Sequence, residues 1–378
     1  MTTLKQGGVL QRAVSFIENM STALDEFDWR LFISQRVQQE LDQRNILVTY
    51  PKRVFVESPA RKPAVRRQVV TAIGAASPDL LFTFCGPSYL KQPVPELMGV
   101  ADGWVTHSTR DAYRSVSPWR NRLGLYLASR YKLRWFHTAR TFIVQTETAQ
   151  RGLSARAGIP VGNIHIVPNA LAPWYQSNES TDLRKAGQKL RIVYFAAPYS
   201  HKRHLWIPSI CKVIEDLDEP NFEIVITIDA LNPIAHKVDS LAKRLGVENR
   251  IVNLGNVPVA EGLAVYRGAH VCFVPSILET FSATYLEAMA TRTPIVACDL
   301  DFAREICGEA AVYFDPASPL DAATKILDTA NHADQCLSLS QLGQQQLDTY
   351  PDVEKQMILY RNILQETISK LTCTQSRN

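Results

Sequence analysis

Two glutamates eight positions apart, Glu279 and Glu287, have the spacing that most clearly indicates chemistry. Residues 278–290 predict a loop turning into a helix, because Leu, Ala and Met are good helix formers. Just before them, residues 269–276 form a short apolar run that predicts a buried parallel strand. Glu279 is therefore expected beyond the carboxyl end of a strand, where open α/β sheets bind ligands. If residues 279–287 were all helical, the carboxylates would lie roughly 12 Å apart and address different parts of one extended ligand.

Taken alone, such a pair is typical of solvated helix charges, but the surrounding sequence indicates more. It resembles the donor-site motif of retaining glycosyltransferases with the GT-B fold, in particular family 4, the glycosyl transferases group 1. The residues that follow the family pattern are Phe281, Leu286, Glu287, Ala288, Met289, Ala290, Pro294 and Val296. Residues 303–306 and 311–316 are similar to the family's next helix and strand.

The resemblance implies a role for each part of this donor site. Glu279 is expected near the donor sugar, and Glu287 is expected to hold the ribose hydroxyls. Backbone N–H groups of the intervening loop are expected to bind the diphosphate, namely those of Thr280, Phe281 and Ser282. Val257 lies in a Gly-Asn-Val-Pro turn that resembles the loop packing the nucleotide base.

Positive charge is needed where a nucleoside diphosphate departs, and the family supplies an arginine and, five residues on, a lysine. In residues 196–204, Lys202 matches the lysine, whereas Ala197 stands at the arginine position. Arg203 is the neighbouring cation that could reach the same phosphates. Losing one electrostatic contact typically costs a few kcal/mol in the barrier. The alternative for Lys202 is a solvated loop lysine.

His201 and His204 have a spacing that fits one helical face and one metal ion. A metal site there is not favoured, because no cluster of carboxylates or cysteines accompanies them in the sequence. We therefore expect a metal-free site without a cofactor, in which protein charges and helix N–H groups stabilise the leaving diphosphate of the donor substrate.

The first half contributes weaker signals. His107 follows a predicted strand at residues 104–106, and family 4 members place a functional histidine at a similar strand end. It is a candidate for contacting the reacting sugar or the acceptor hydroxyl, the alternative being a histidine packed at a strand terminus. Gly8, in a double glycine, resembles the family's glycine loop. Only residues 1–6 precede that pair, too few for the usual first strand. The alternatives are a start that is placed late, a lost first strand, or a rearranged domain.

Composition limits the class of protein. The chain has 378 residues, of which 46% are apolar, enough for two domains with separate cores. No run of 18 apolar residues and no signal peptide are evident, which predicts a cytoplasmic protein without a membrane span. The seven scattered cysteines are typical of reduced thiols and not of a disulfide framework.

The charge is unevenly distributed. Residues 1–168 hold 22 Lys and Arg against 12 Asp and Glu, while the remainder holds 19 against 25. The basic half, with Trp119 and Trp135 among arginines, could meet an anionic membrane surface or a diphosphate-linked acceptor, placing the protein on the inner face of the membrane. No nucleic-acid recognition motif accompanies the charge. Solvated helix faces are the alternative.

Strand-like and helix-like segments alternate along the whole chain, which indicates an α/β protein. We predict the GT-B fold, two Rossmann-like doubly wound parallel-sheet domains facing across a cleft. The expected divisions are an acceptor domain at 1–170, a donor domain at 171–352, a helix at 353–371 crossing back to the first domain, and a frayed tail at 372–378. The predicted strands are 30–34, 46–49, 79–84, 104–106, 141–145, 165–167, 191–195, 222–228, 251–254, 270–274, 295–297 and 311–314.

The sequence thus predicts a retaining glycosyltransferase that moves a sugar from a nucleotide-diphosphate sugar to a hydroxyl of a glycan or lipid-linked acceptor, in cell-surface polysaccharide synthesis. A nucleotide-sugar epimerase of the same fold is one alternative. An inactive or truncated member that binds nucleotide sugar or a partner is another, which Ala197 and the short start favour.

Overall fold

The structure is a computed structural model and describes residues 1–3, 8–175, 183–185 and 187–375. The chain divides into two compact units. Unit 1 comprises Met1–His107, Leu123–Ala170 and Pro351–Asn378, and unit 2 comprises Ser108–Arg122 and Leu171–Tyr350.

Unit 1 carries two parallel sheets. Strands β1 and β2 form one, and the other has the order β3-β4-β5-β6. The elements up to residue 170 are, in chain order, α1 (Gly8–Ala23), β1 (Leu31–Ser34), α2 (Gln35–Gln43), β2 (Lys52–Phe55), α3 (Pro63–Ala76), β3 (Leu81–Thr83), β4 (Glu96–Gly99), α4 (Gly103–Thr106), α5 (Arg110–Arg114), α6 (Trp119–Leu133), β5 (Thr141–Val144), α7 (Glu147–Ala157) and β6 (Ile164–Ile166). Of these, α5 belongs to unit 2, and α6 begins there and continues into unit 1.

The last helix, α15 (Val353–Gln375), packs against α1 in the core of unit 1. Tyr360 stands among the rings of Phe16, Phe82 and Phe84. Met1 packs against the same core, and its N-terminal ammonium donates to the carbonyl of Phe32 at 3.0 Å. No strand of the described residues joins β1 to β3, and residues 4–7 lie outside the described part.

Unit 2 has one six-stranded parallel sheet of order β12-β11-β10-β7-β8-β9. Its elements after residue 171 are β7 (Leu190–Tyr194), α8 (Ile207–Asp216), β8 (Phe222–Ile226), α9 (Pro233–Leu245), β9 (Ile251–Asn253), α10 (Gly262–Tyr266), β10 (Val271–Val274), α11 (Ala283–Ala290), β11 (Ile295–Cys298), α12 (Asp301–Cys307), β12 (Ala311–Phe314), α13 (Pro319–Asn331) and α14 (Ala333–Asp348). This is the doubly wound order, and its direction reverses between β7 and β10.

All six predicted strands of unit 2 are present, but two predictions in unit 1 are wrong. Residues 46–49 form no strand because the backbone N–H of Ile46 returns to the carbonyl of Leu41 and closes α2, after a left-handed Asn45. The strand that pairs with β1 is β2 instead. Residues 104–106 are helical because the Asp102 side chain caps the N–H of Trp104. Strand β4, which is buried throughout, was not predicted.

Candidate functional site

The loops that follow β7 and β10 are tied together at the point where the sheet order reverses. The Tyr194 hydroxyl, at the end of β7, donates to the carbonyl of Lys202 at 2.9 Å and lies 2.9 Å from Oγ of Ser276. The backbone N–H of Ile277 donates to the carbonyl of His201 at 3.0 Å. Both loops leave the carboxyl ends of neighbouring parallel strands, which is where doubly wound sheets bind ligands.

Lys202, Glu279 and Ser282 form a buried polar cluster in these loops. The Nζ atom of Lys202 lies 2.5 Å from Oε1 of Glu279 and donates to Oγ of Ser282 at 3.2 Å. All three side chains are buried. A buried ammonium is retained only when it is paired, and Glu279 supplies the pairing charge. The structure therefore brings together residues that are 80 positions apart in the chain.

Helix α11 starts beside this cluster. Ser282 occupies its N-cap position, and the Thr284 hydroxyl donates to the carbonyl of Phe195 at 2.9 Å, fixing the helix start to the end of β7. The first N–H groups of a helix lack intrahelical acceptors and favour an anion. Thr280 and Phe281 lie in the loop leading into the helix, and the Phe281 ring packs edge-on against Tyr350 with centroids 5.5 Å apart.

Glu287 is buried further along α11, held by two phenols. The Tyr266 hydroxyl donates to Oε2 of Glu287 at 3.0 Å, and the Tyr175 hydroxyl also bonds to this carboxyl group. Burial raises the pKa of Glu287 to about 7, although both phenols and the charge of Lys202 oppose the shift. The group is thus poised to change charge near neutral pH.

Tyr175 can reach Glu287 only because residue 262 is a glycine. A Cβ atom at Gly262 would lie 1.8 Å from the Tyr175 hydroxyl and 2.6 Å from the Phe195 ring. Sequence reasoning missed both Tyr175 and Gly262. Tyr175 lies in the short 3₁₀ turn Pro173–Tyr175, where no local pattern indicates contacts with residues as distant in the chain as Gly262 and Glu287.

Two further donor-site candidates, Arg203 and Val257, have surroundings of their own. The Arg203 guanidinium donates to the carbonyl of Pro316 at 2.8 Å and lies 3.7 Å from the centroid of the Trp206 ring. It is thereby engaged beyond the end of β12. Val257 is half-buried in the loop after β9, two strands from β7, following Gly255 in the left-handed region.

The remaining candidates, His107 and Gly8, lie in unit 1. His107 is the C-cap of α4 and not a strand end, and its Nδ1 lies 2.8 Å from the Thr106 hydroxyl. Helix α7 approaches it closely, since a Cβ atom at Gly152 would lie 2.4 Å from the Thr106 carbonyl oxygen. Gly8 is the exposed first residue of α1, where a Cβ atom would meet nothing within 4 Å.

The two histidines near Lys202 have separate surroundings. His204 is buried against the Tyr194 ring, and burial lowers its pKa to about 3, whereas His201 stacks on Tyr199. Within the described ranges, no group of three or more His, Cys, Asp and Glu residues is placed to hold a metal ion. Of the helices in the described part, none is both long and apolar enough to cross a membrane.

Comparison with known proteins confirms the family resemblance. Residues 189–332 match the family described as Glycosyl transferases group 1. The D-inositol 3-phosphate glycosyltransferase of Corynebacterium efficiens is 37% identical over 93 residues, 24% of this chain and 22% of that protein. An uncharacterized glycosyltransferase of Methanocaldococcus jannaschii is 26% identical over 157 residues, 39% of each chain. The matched regions thus span only 22% and 39% of these relatives.

Solved structures extend the likeness over almost the whole chain. Anabaena HepE in complex with UDP-glucose has a TM-score of 0.71 at 16% identity and covers 98% of both chains. A glycosyltransferase from Rickettsia africae ESF-5 has a TM-score of 0.70 at 13% identity and covers 98% of this chain and 96% of that one. The chain is therefore an α/β protein with the GT-B fold of glycosyltransferases. Within that fold, residues 189–332 are similar to the glycosyl transferases group 1.

Proposed function

We propose that the chain is a retaining glycosyltransferase of hexosyltransferase type. It transfers a sugar from a nucleotide-diphosphate sugar to a hydroxyl of a glycan or lipid-linked acceptor in cell-surface polysaccharide synthesis. The observation that carries the proposal is the buried contact of Lys202 with Glu279 and Ser282 beside the start of α11.

In this proposal Lys202 and the N–H groups at the start of α11 offset the charge that develops on the departing diphosphate. Such fixed donors are effective because they need no reorganisation during the reaction. In the free protein Glu279 neutralises Lys202, so donor binding replaces part of that pairing with phosphate oxygens. Glu279 then contacts the donor sugar, while Arg203 keeps the loop between β7 and α8 in place through its contacts with Pro316 and Trp206.

Glu287 is proposed to bind the ribose hydroxyls at the other end of the donor. Its buried carboxyl group accepts hydrogen bonds from the Tyr266 and Tyr175 hydroxyls, and this supports a role in binding hydroxyl groups. Uridine diphosphate is the first nucleotide to test, because the structural neighbour HepE was solved with UDP-glucose. Thr280, Phe281 and Ser282 position the diphosphate, and Val257 packs near the base.

Retention of configuration and independence from metal ions are part of the proposal, and the resemblance to the family supports them. We favour a front-face reaction in which the departing phosphate takes the acceptor proton, with no carboxylate nucleophile. His107 and Gly8, in unit 1, are proposed to contribute on the acceptor side. The protein is proposed to act in the cytoplasm, at the inner face of the membrane where the acceptor is lipid-linked.

Calorimetric titration of the purified chain with uridine and guanosine diphosphates tests the donor site. Lys202→Ala and Glu287→Ala should each weaken binding by about tenfold or more. The first leaves phosphate oxygens of the nucleotide without a partner, and the second leaves ribose hydroxyls without one. Lys237→Ala and Glu309→Ala are matched controls, because both residues are exposed in unit 2, and they should bind as the parent does. A folded parent that binds neither nucleotide, or binding unaffected by both site substitutions, would contradict the proposal.

A turnover assay separates transfer from the alternatives. With UDP-glucose as the probe, a transferase releases nucleotide faster when a hydroxyl acceptor is added. An epimerase changes the sugar without releasing nucleotide, and a binding protein does neither. The anomeric configuration of the product, read by NMR, tests retention.

A further inference from the structure

Helix α6 turns an apolar face toward solvent. Leu123, Tyr126, Leu127 and Tyr131 are 44% to 57% exposed, and Ser129 is the buried residue of the helix. Their three- and four-residue spacing places them on one side of the helix. A helix in a soluble domain normally turns such a stripe inward, so an outward stripe marks an interaction surface. We call these four residues the α6 face.

The charged side chains of helix α6 itself are all positive. The helix contains four cations and no acidic residue. Two of the cations are engaged elsewhere: Lys132 pairs with Asp102 at 2.5 Å, and Arg122 donates to the carbonyl of Arg114 at 3.1 Å. Arg120 and Arg130 are exposed, and Arg134 follows just beyond the helix end. Exposed guanidinium groups therefore accompany the apolar stripe, and Arg130, three residues after Leu127, lies on the same side of the helix.

The start of α3 extends this surface and fixes its edge. The Arg66 guanidinium donates to the Tyr131 hydroxyl at 3.3 Å and lies 5.2 Å from the centroid of the Trp135 ring. Tyr131 also stacks on Tyr89 with ring centroids 6.1 Å apart. Arg67 is exposed beside Arg66. The α6 face is thus held in position by packed aromatic rings.

We propose that the α6 face is a docking surface for a lipid bilayer that contains anionic lipid. Leucine side chains enter the acyl boundary, tyrosines sit at the headgroup level, and the arginines contact lipid phosphates. A second copy of the chain is the less suitable occupant, because its own α6 face would bring arginines against arginines. The docking does not require the transfer reaction, so either proposal can fail while the other holds.

Cosedimentation of the full chain with vesicles tests this inference. Vesicles of phosphatidylcholine with about a third phosphatidylglycerol should bind the chain at low ionic strength, and binding should fall as salt rises. Arg130→Glu and the double variant Leu123→Ser with Leu127→Ser should each lower the partition coefficient by about tenfold, given the contribution of each cation and buried apolar group. Neutral phosphatidylcholine vesicles should bind the parent weakly.

Matched controls distinguish this face from general surface effects. Arg244→Glu and Leu320→Ser change exposed residues of unit 2 in the same way and should leave vesicle binding unchanged. Circular dichroism and thermal melts establish that each variant is folded, and light scattering after gel filtration reports oligomeric state. Absence of vesicle binding by the parent, equal loss in the controls, or a parent dimer that the α6 variants split would each overturn the proposal.

Discussion

The two units use parallel sheets differently. In unit 2 one continuous sheet of six strands reverses direction between β7 and β10, and the loops of those two strands carry the lysine cluster. In unit 1 the described strands fall into a pair and a set of four. A continuous sheet fixes neighbouring strand ends to within a few ångströms, which is what a buried ion pair needs. The positional accuracy of the candidate site therefore comes from the sheet of unit 2.

Buried carboxyl groups show the same contrast. Glu279 and Glu287 in unit 2 have an ammonium or phenols as partners, and they lie at the carboxyl side of the sheet. Glu96 in unit 1 begins strand β4 and accepts hydrogen bonds from three hydroxyls, those of Thr83, Ser88 and Thr138. We interpret the unit 2 carboxyl groups as part of a ligand site and Glu96 as a structural element.

Removing the ammonium group of Lys202 is the strongest test of this contrast. Lys202→Ala should lower the turnover number by about a hundredfold or more, because fixed charge at a departing diphosphate is lost. It should also destabilise the protein by about 3–5 kcal/mol, because Glu279 stays buried without its partner. Urea denaturation and steady-state kinetics measure both effects. The double variant Lys202→Ala with Glu279→Ala should recover stability but not turnover; recovery of both would remove Lys202 from catalysis.

Adding one carbon at Gly262 gives the next largest effect. Gly262→Ala should destabilise the chain by about 1–3 kcal/mol, because the new Cβ atom would overlap the Tyr175 hydroxyl and the Phe195 ring. Gly162→Ala, in unit 1, meets nothing within 4 Å and should change the free energy of unfolding by less than about 0.5 kcal/mol. Equal effects of the two substitutions, measured by urea denaturation, would contradict the packing around Tyr175.

The sequence predicted unit 2 better than unit 1 for a physical reason. Buried parallel strands such as β10 and β11 are continuous apolar runs, and such runs are visible in the sequence. The edge strand β2 is basic and mostly exposed, so nothing in its sequence marks it as a strand. The helix cap at Asp102 outweighed the strand-like pattern of residues 104–106.

The candidate site was predictable only where a residue stands in a local sequence pattern, as Lys202 does in residues 196–204. Glu279, Ser282 and Glu287 follow one motif. The partnership of Tyr175 with Glu287 depends on a close approach at Gly262, and the departure of Arg203 toward Pro316 depends on a left-handed backbone at residue 203. Neither contact leaves a local pattern, because each is set by the packing of distant segments.

Titration of Glu287 should make donor binding depend on pH. Ribose hydroxyls bind the carboxylate better than the acid, and with a pKa of about 7 the ionised fraction rises about tenfold from pH 6 to pH 8. Calorimetry with UDP-glucose, whose phosphates do not titrate in this range, should show affinity rising about tenfold. Glu287→Gln should bind more weakly and show a flat profile; a parent profile as flat as that of the variant would disprove the assignment.

The same pKa affects stability. Because the pKa of Glu287 is raised from 4.5 to about 7, the folded chain binds more protons than the unfolded chain between these values. The contribution of Glu287 to the free energy of unfolding is therefore complete below pH 4.5 and is lost as pH rises to about 7. The pKa of His204 is lowered to about 3, so the contribution of His204 makes stability rise with pH between about 3 and 6.5. The difference in unfolding free energy between the parent and Glu287→Gln isolates the contribution of Glu287. A difference that does not change with pH would contradict the raised pKa.

Glu96→Gln in unit 1 should have the smallest effect. Burial raises the pKa of Glu96, so its charge is disfavoured, and its partners are hydroxyls that can either donate or accept. The amide oxygen can accept from Thr83, and the amide N–H can donate to Thr138, whose own hydroxyl also bonds to the carbonyl of Trp135. The free energy of unfolding should change by less than about 1 kcal/mol, and nucleotide affinity should not change. Loss of nucleotide binding in this folded variant would show that the contrast between the units' carboxyl groups is wrong.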